Sequence, residues 1–195
     1  MRKIYFFLLI GLASCSEYKL SSSSVTEGEN GLLLFENRKE NISIKFYSDY
    51  WFHDINKEQT LNWDSRFMKS FGEKHNKEFL YCAHTKMNPY CSSLGVLYMN
   101  AEEEKLVNEI AGTLKKELKA ADLKDTTGQI GYANFRKLSY TLTDEELKIY
   151  RTFSEFYITR GNDVLRIIFW TSESNTAWMD EEAKGILKTL TLTRP

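Results

Sequence analysis

The amino-acid sequence predicts an α+β fold, in which helices pack on an antiparallel β-sheet. Three observations carry this prediction. One amphipathic helical stripe covers residues 102–118, three strand-like segments follow it between residues 132 and 171, and a second helical pattern closes the chain. Strands that follow one another directly favour an antiparallel sheet, since parallel strands need a helix between each pair.

The first elements lie between residues 32 and 76. Residues 32–35 are predicted to form a short strand, and the alternation of Ile42, Ile44 and Phe46 is typical of a half-buried strand. Residues 47–52 are predicted to form an aromatic loop. Residues 57–76 fit a helix face with Phe67 and Phe71, but their pattern remains ambiguous.

Two strands, residues 79–85 and 93–99, are predicted around a turn that contains Asn88-Pro89. Asn100 and Glu103 fit the N-cap and the third helical residue of a capping box. The helix that follows is marked by an apolar stripe with acidic residues before it and lysines after it, which suits the helix dipole. The members of this stripe are Leu106, Val107, Ile110, Ala111, Leu114 and Leu118.

A three-stranded meander is predicted over residues 132–142, 147–160 and 164–171. Gly161-Asn162 is a hairpin turn signal. Residues 164–170 are apolar except for Arg166, which predicts a central strand covered on both faces. Residues 176–190 are predicted to form the closing helix.

The N-terminus has the pattern of an export signal. Arg2 and Lys3 precede an apolar run over residues 4–12, which is far shorter than the roughly 20 residues of a spanning helix. The run ends in Leu12-Ala13-Ser14-Cys15, which resembles the lipobox of bacterial lipoprotein precursors. The alternatives are an ordinary secretory signal cut after Ser14 and a buried helix.

The lipoprotein resemblance implies that the chain is cut before Cys15 and that this cysteine carries a diacylglycerol. Residues 1–14 are then the signal peptide, residues 15–30 a Ser-rich flexible tether, and residues 31–195 a single globular domain. Two or three acyl chains hold a protein on a membrane almost irreversibly. Because no aspartate follows Cys15, the resemblance favours the outer membrane over the inner one.

The globular part is similar to the PsbP-like α/β sandwich. Residues 42–46 followed by Asp49-Tyr50-Trp51 resemble the early strand of that family, and the closing helix before Thr189-Leu190 resembles its last element. The proline that is common after the early strand is replaced by Tyr47. The resemblance implies a fold and transfers no active site, because one fold hosts many functions.

The two other cysteines are predicted to form a disulfide. A hairpin centred near residues 86–87 places Cys82 opposite Cys91, and an exported protein meets an oxidising environment. The alternative is a zinc site made of Cys82, His84 and Cys91 with His75, although this spacing matches no usual zinc finger. The sequence therefore predicts neither a metal nor a cofactor.

Candidate binding and catalytic residues are few. Tyr47, Tyr50, Trp51 and Phe52 are dense enough to form a partly exposed binding patch; the alternative, which the tendency of long aromatic side chains to be buried favours, is a core edge with a covered loop. No nucleophile elbow, zinc-protease motif or phosphate loop occurs, so a hydrolase needs a dispersed site around one of three histidines, His53 among them.

The chain has 26 basic and 27 acidic residues and a net charge of -1, which argues against nucleic acid as a partner. The sequence therefore predicts a membrane-anchored envelope lipoprotein that binds a protein partner and is not an enzyme. An immunity or inhibitor protein is one form of this prediction. The alternatives are an envelope hydrolase and a small-ligand carrier with an apolar cavity between sheet and helix.

Overall fold

The computed structural model describes residues 23–53, 70–72, 74–86, 90–144 and 149–192. Over these residues the chain forms two antiparallel sheets and two α-helices, so the α+β prediction is confirmed. The described residues form two sheets where a single one was predicted. Within the described ranges, no helix combines the length and the apolar character that a membrane crossing requires.

The small sheet has the strand order β1-β2-β3-β11. Its outer strands are short, and β11 pairs with only two residues of β3. The predicted alternation is confirmed, because Ile42, Ile44 and Phe46 are buried while the residues between them face outward. The four strands are β1 (Ser23–Glu27), β2 (Leu32–Asn37), β3 (Ile42–Tyr47) and β11 (Thr191–Leu192).

The large sheet has the order β4-β5-β6-β10-β9-β8-β7. The strand predicted to be central, β10, lies in the middle of this order and is buried along most of its length. The β9–β10 turn contains Gly161 at a φ of 62°, as the hairpin signal predicts. The seven strands are β4 (Tyr50–His53), β5 (Lys77–Thr85), β6 (Cys91–Tyr98), β7 (Ala121–Ile130), β8 (Ala133–Asp144), β9 (Ile149–Arg160) and β10 (Asp163–Ser172).

The two faces of the large sheet bury separate apolar cores. Helix α1 (Glu103–Lys116) covers one face with its predicted stripe, of which Leu106, Val107, Ile110 and Leu114 are buried. Helix α2 (Thr176–Leu187) and the small sheet cover the other face side by side. We call these the helix-side core and the inter-sheet core.

Several local predictions are wrong. Ser23–Glu27 lies inside the predicted tether but forms β1, where Val25 pairs with Phe35. Residues 50–53 form strand β4 and not a loop, and the polar strand β7 was not predicted. Asn100 does not cap α1: its φ is 52° and its N–H bonds to Asp163, while Glu102 takes the N-cap position. The predicted segment 57–76 lies largely outside the described residues.

The helix-side core contains a fully buried ion pair. The Arg166 guanidinium reaches both carboxylate oxygens of Glu155, with Nη2–Oε1 at 2.7 Å and Nε–Oε2 at 3.1 Å. It also donates to the carbonyl of Ser70 and to the hydroxyl of Tyr98. Burial by itself lowers the pKa of Arg166, but Glu155 and the neighbouring tyrosines raise it well above its usual value. Arg166 is therefore charged in the native protein, where it lies 2.7 Å from the Glu155 carboxylate.

Candidate functional site

A groove opens at the end of the inter-sheet core. It has a volume of about 610 Å³, within the range of about 300–1,000 Å³ that is usual for ligand pockets. Three stretches of chain form its walls: the β7–β8 turn, the β9–β10 turn and the segment from the end of α2 into β11. Both turns contain a glycine with positive φ, Gly131 at 58° and Gly161 at 62°, which lets the strands reverse tightly beside the groove.

The groove exists because the small sheet ends early on this side. Strand β11 is only two residues long. Beyond these two residues, the edge of β3 is hydrogen-bonded by the side chain of Thr189 and not by another strand. The Thr189 hydroxyl accepts a hydrogen bond from the N–H of Lys45 at 2.8 Å and donates to the carbonyl of Ile186 at 2.7 Å. The large sheet continues past this point through β9, β8 and β7, so its inner face is left partly uncovered there.

The groove has an apolar floor and a polar rim. Ile158 and Leu187 are almost fully buried members of the inter-sheet core, and Ile130 packs partly against it. Tyr132 stands at the rim and is fully exposed, while Lys188 adds an exposed positive charge at the end of α2. This combination of apolar floor, exposed tyrosine and polar rim is typical of binding surfaces.

Arg160 lies in the wall of the groove and is held in place by the opposite sheet. Its guanidinium donates to the backbone carbonyl of Glu40 and lies 3.5 Å from that residue's carboxylate. A second carboxylate, that of Asp163, lies 3.9 Å away. Arg160 therefore ties β9 to the β2–β3 turn, and its charge is balanced by neighbours within the protein.

The predicted aromatic patch does not form one surface. Tyr50 and Phe52 point into the inter-sheet core, where they pack against Phe46 with ring centres 5.1 and 5.0 Å away. Trp51, which is 51% exposed, projects from the other face of β4 because successive strand residues alternate. Tyr47 is 42% exposed and belongs to the small sheet.

The predicted disulfide is also wrong. Neither cysteine is in a disulfide, and both are buried. Cys82 pairs with Leu94 and belongs to the helix-side core, whereas Cys91 pairs with Thr171 and belongs to the inter-sheet core. The sheet itself separates the two thiols. Burial raises the pKa of the Cys91 thiol to about 12, so this thiol is not a reactive nucleophile at neutral pH.

The same separation excludes the zinc set of Cys82, His84, Cys91 and His75 as one cluster. Among the described residues, no three side chains of His, Cys, Asp or Glu converge as metal ligands. His75 instead lies 3.0 Å from Glu109 on α1 and packs edge-on against Tyr98. His84 contacts His53 on the neighbouring strand β4, a pair that the sequence analysis did not connect.

The groove was not found from the sequence either. Tyr132 was predicted as the first residue of a strand, and nothing in its neighbourhood marks it as fully exposed. Cys15 and the lipobox lie outside the described residues, so the predicted anchor stays a prediction.

Comparisons with known proteins give fold information only. No family model and no curated protein matches the chain. A crystal structure of LpqN, described as involved in cell envelope biogenesis of Mycobacterium tuberculosis, has a TM-score of 0.51 at 10% identity. The match covers 88% of this chain and 90% of that one, so the two share an overall fold. The PsbP-like assignment stays a prediction.

Two further solved structures are less similar. The first is a protein of unknown function from Pseudomonas aeruginosa, PA94, described as a putative regulator. It has a TM-score of 0.48 at 13% identity, over 84% of this chain and 98% of that one. The second comes from Bacteroides thetaiotaomicron and has a TM-score of 0.47 at 15% identity, over 78% of this chain and 45% of that one.

Proposed function

We propose that this chain is a lipid-anchored protein of the bacterial envelope that binds a protein partner through the groove, without catalysis. The observation that carries the binding function is the groove itself, with its apolar floor and the fully exposed Tyr132 at its rim. A large aromatic side chain left completely in water adds to binding when a partner covers it.

The envelope location rests on residues 1–15, where a positive start, a short apolar run and the lipobox follow in order. LpqN, which shares the fold, is described as involved in cell envelope biogenesis. We include the outer membrane in the proposal because Ser16, and not an aspartate, follows Cys15. An immunity or inhibitor protein is one form that such a module takes.

The anchor is tested by changing Cys15→Ala in the full-length precursor. We expect the variant to accumulate as an uncleaved precursor that takes up no labelled palmitate, while the wild type is processed and labelled. A variant that is cleaved and labelled like the wild type contradicts the lipoprotein proposal.

The groove is tested by placing a photo-crosslinking amino acid at Tyr132 in living cells. The matched control is the same substitution at Tyr150, which is 53% exposed and is the second residue of β9, whereas the groove lies at the other end of that strand. We expect one crosslinked protein from position 132 and none from position 150. Equal or absent adducts at both positions contradict a protein partner in this groove.

The volume of the groove favours a second candidate, a small-ligand carrier. A carrier isolated from its own membrane keeps its ligand, so native mass spectrometry is expected to detect an added mass that organic extraction removes. Filling the groove with Ala133→Trp abolishes that added mass if the groove holds the ligand. The same variant weakens the crosslink if the groove holds a protein.

A further inference from the structure

Two histidines on neighbouring strands face each other at the β4 edge of the large sheet. His53 pairs with Cys82 across the two strands, and Trp51 pairs with His84, so the two imidazoles are diagonal neighbours on one face. Nε2 of His53 is in direct contact with Nδ1 of His84. Both side chains are partly buried and still accessible to solvent.

The two rings meet edge to edge. Their centres are 4.4 Å apart and their planes differ by only 23°, and the nitrogens make the contact between them. Rings stacked face to face at that separation keep their nitrogens farther apart. Since the lone pair and the N–H of an imidazole both lie in the ring plane, the two nitrogens aim at each other, and either one is able to donate to the other.

We infer that this pair is a binding site for a divalent transition-metal ion, which is held between the two facing nitrogens. Neutral imidazole is a common ligand for Zn²⁺ and Cu²⁺, at about 2.0–2.1 Å for Zn²⁺. A modest separation of the rings admits an ion to both nitrogens. Among the described residues no third ligand joins them, so we assign the remaining coordination positions to water.

This site differs from the zinc set expected from the sequence. It keeps His84, replaces the remote His75 by His53 and leaves out both cysteines, of which Cys91 lies on the other face of the sheet. The strand register brings the two histidines together across 31 residues of sequence, so no spacing motif marks the site.

The experiment uses the full-length chain, purified without a polyhistidine tag. Cu²⁺ is titrated while affinity is measured by competition with a chelator, and pulsed electron paramagnetic resonance counts the coordinating imidazoles. The variants are His53→Gln and His84→Gln, which keep hydrogen-bonding groups. The matched control is His75→Gln, since His75 is the third histidine of the chain and pairs with Glu109.

We expect one Cu²⁺ per chain with two coordinating imidazoles. Each variant of the pair lowers the affinity by at least about tenfold, because even the loss of an outer-shell partner costs about 10–100-fold. The His75→Gln control binds like the wild type. Because the ion competes with protons for the same nitrogens, affinity also falls as the pH is lowered.

An affinity unchanged by His53→Gln and His84→Gln overturns the inference. A wild-type spectrum that shows one coordinating imidazole or none also overturns the inference. This measurement does not depend on the folding of any variant. Wild-type protein that binds neither Cu²⁺ nor Zn²⁺ overturns it as well. Equal losses in the His75→Gln control indicate nonspecific binding and have the same consequence.

Discussion

Replacing Glu155 by glutamine removes a negative charge from a place that water does not reach. Glu155 and Arg166 are both fully buried, and two hydrogen bonds of 2.7 and 3.1 Å join them. Glu155 also accepts the hydroxyl protons of Tyr140 and Tyr157. A glutamine of the same size fills the space but presents an NH₂ group where one carboxylate oxygen accepts hydrogen bonds.

The loss of stability follows from the charge that is left behind. Removing one partner of a buried ion pair costs about 3–5 kcal/mol, because the other charge stays buried without compensation. For a chain of this size each kcal/mol corresponds to about 2–4 °C in Tm, so we expect Tm to fall by about 6–20 °C. Arg166→Met is expected to cost a similar amount, because Glu155 then becomes the unpaired charge.

The assay is urea unfolding followed by circular dichroism, with Asp125→Asn as the matched control. Asp125 forms a bidentate pair with Arg136, with atoms 2.5–3.2 Å apart, in the same sheet but at its exposed edge. Exposed ion pairs contribute about 0–1 kcal/mol. Geometry is therefore comparable in the two pairs, and burial is the main variable.

A loss in Glu155→Gln no larger than in Asp125→Asn refutes the argument from burial. The double variant with Arg166→Met adds a check, because it removes both charges together. We expect it to lose less stability than the sum of the two single variants, with a coupling energy of about 0.5–3 kcal/mol. Simple additivity contradicts a direct interaction between the two side chains.

Three further predictions concern glycines, a carboxylate and the thiols. A Cβ on Gly95 meets a tyrosine ring at 2.4 Å, whereas one on Gly112 meets nothing within 4 Å. We therefore expect urea unfolding to show a free energy of unfolding about 1–3 kcal/mol lower for Gly95→Ala and up to about 1 kcal/mol higher for Gly112→Ala. If both variants shift this free energy in the same direction, the described packing around the two glycines is contradicted. Burial, together with a nearby aspartate, raises the pKa of Glu182 to about 7 from 4.5. The folded protein therefore holds the Glu182 proton more tightly than the unfolded chain does. The resulting contribution to the free energy of unfolding is present below about pH 4.5 and is lost as the pH rises towards 7. We expect Glu182→Gln to flatten the dependence of the urea midpoint on pH over this range, while the same change at its exposed neighbour Glu181 does not. Alkylation without reductant is expected to modify both buried core cysteines after unfolding, and a linked pair contradicts the structure.

Elements with a strong period were predictable from the sequence. The stripe of α1 repeats every three to four residues over the whole helix, and Ile42, Ile44 and Phe46 alternate cleanly, so local burial is enough to identify both elements. The central position of β10 followed from its nearly continuous apolar run. In each case the signal lies within the element itself.

Elements whose identity depends on their neighbours were missed. Strand β7 is polar on both faces, because it is the last strand of the large sheet and few side chains cover it. Strand β1 has one apolar side chain, Val25, packed on the core and looks like a tether. Strand β4 is aromatic on both faces, so no alternation of apolar and polar residues marks it.

The disulfide prediction failed through strand register. A turn centred near residues 86–87 opposes Cys82 and Cys91, but the observed pairing of Cys82 with Leu94 and of His84 with Ser92 is centred at residue 88. The difference is a shift of three residues along β6, and an odd shift moves every side chain to the other face. A separate register, that of β4 against β5, brings His53 and His84 together, and no spacing motif in the sequence marks either pairing.

The position of β1 sets how far the domain extends from its proposed anchor. Eight residue steps separate Cys15 from Ser23, where the small sheet begins. A fully extended chain of that length spans at most about 26–29 Å, whereas a tether that continues to residue 31 spans about 53–58 Å. If Cys15 carries the lipid, the first strand keeps the domain within roughly one small-protein diameter of the bilayer. The tethered domain can therefore contact a partner that lies on the same membrane. A partner that is held farther away has to move towards the membrane before the domain can bind it.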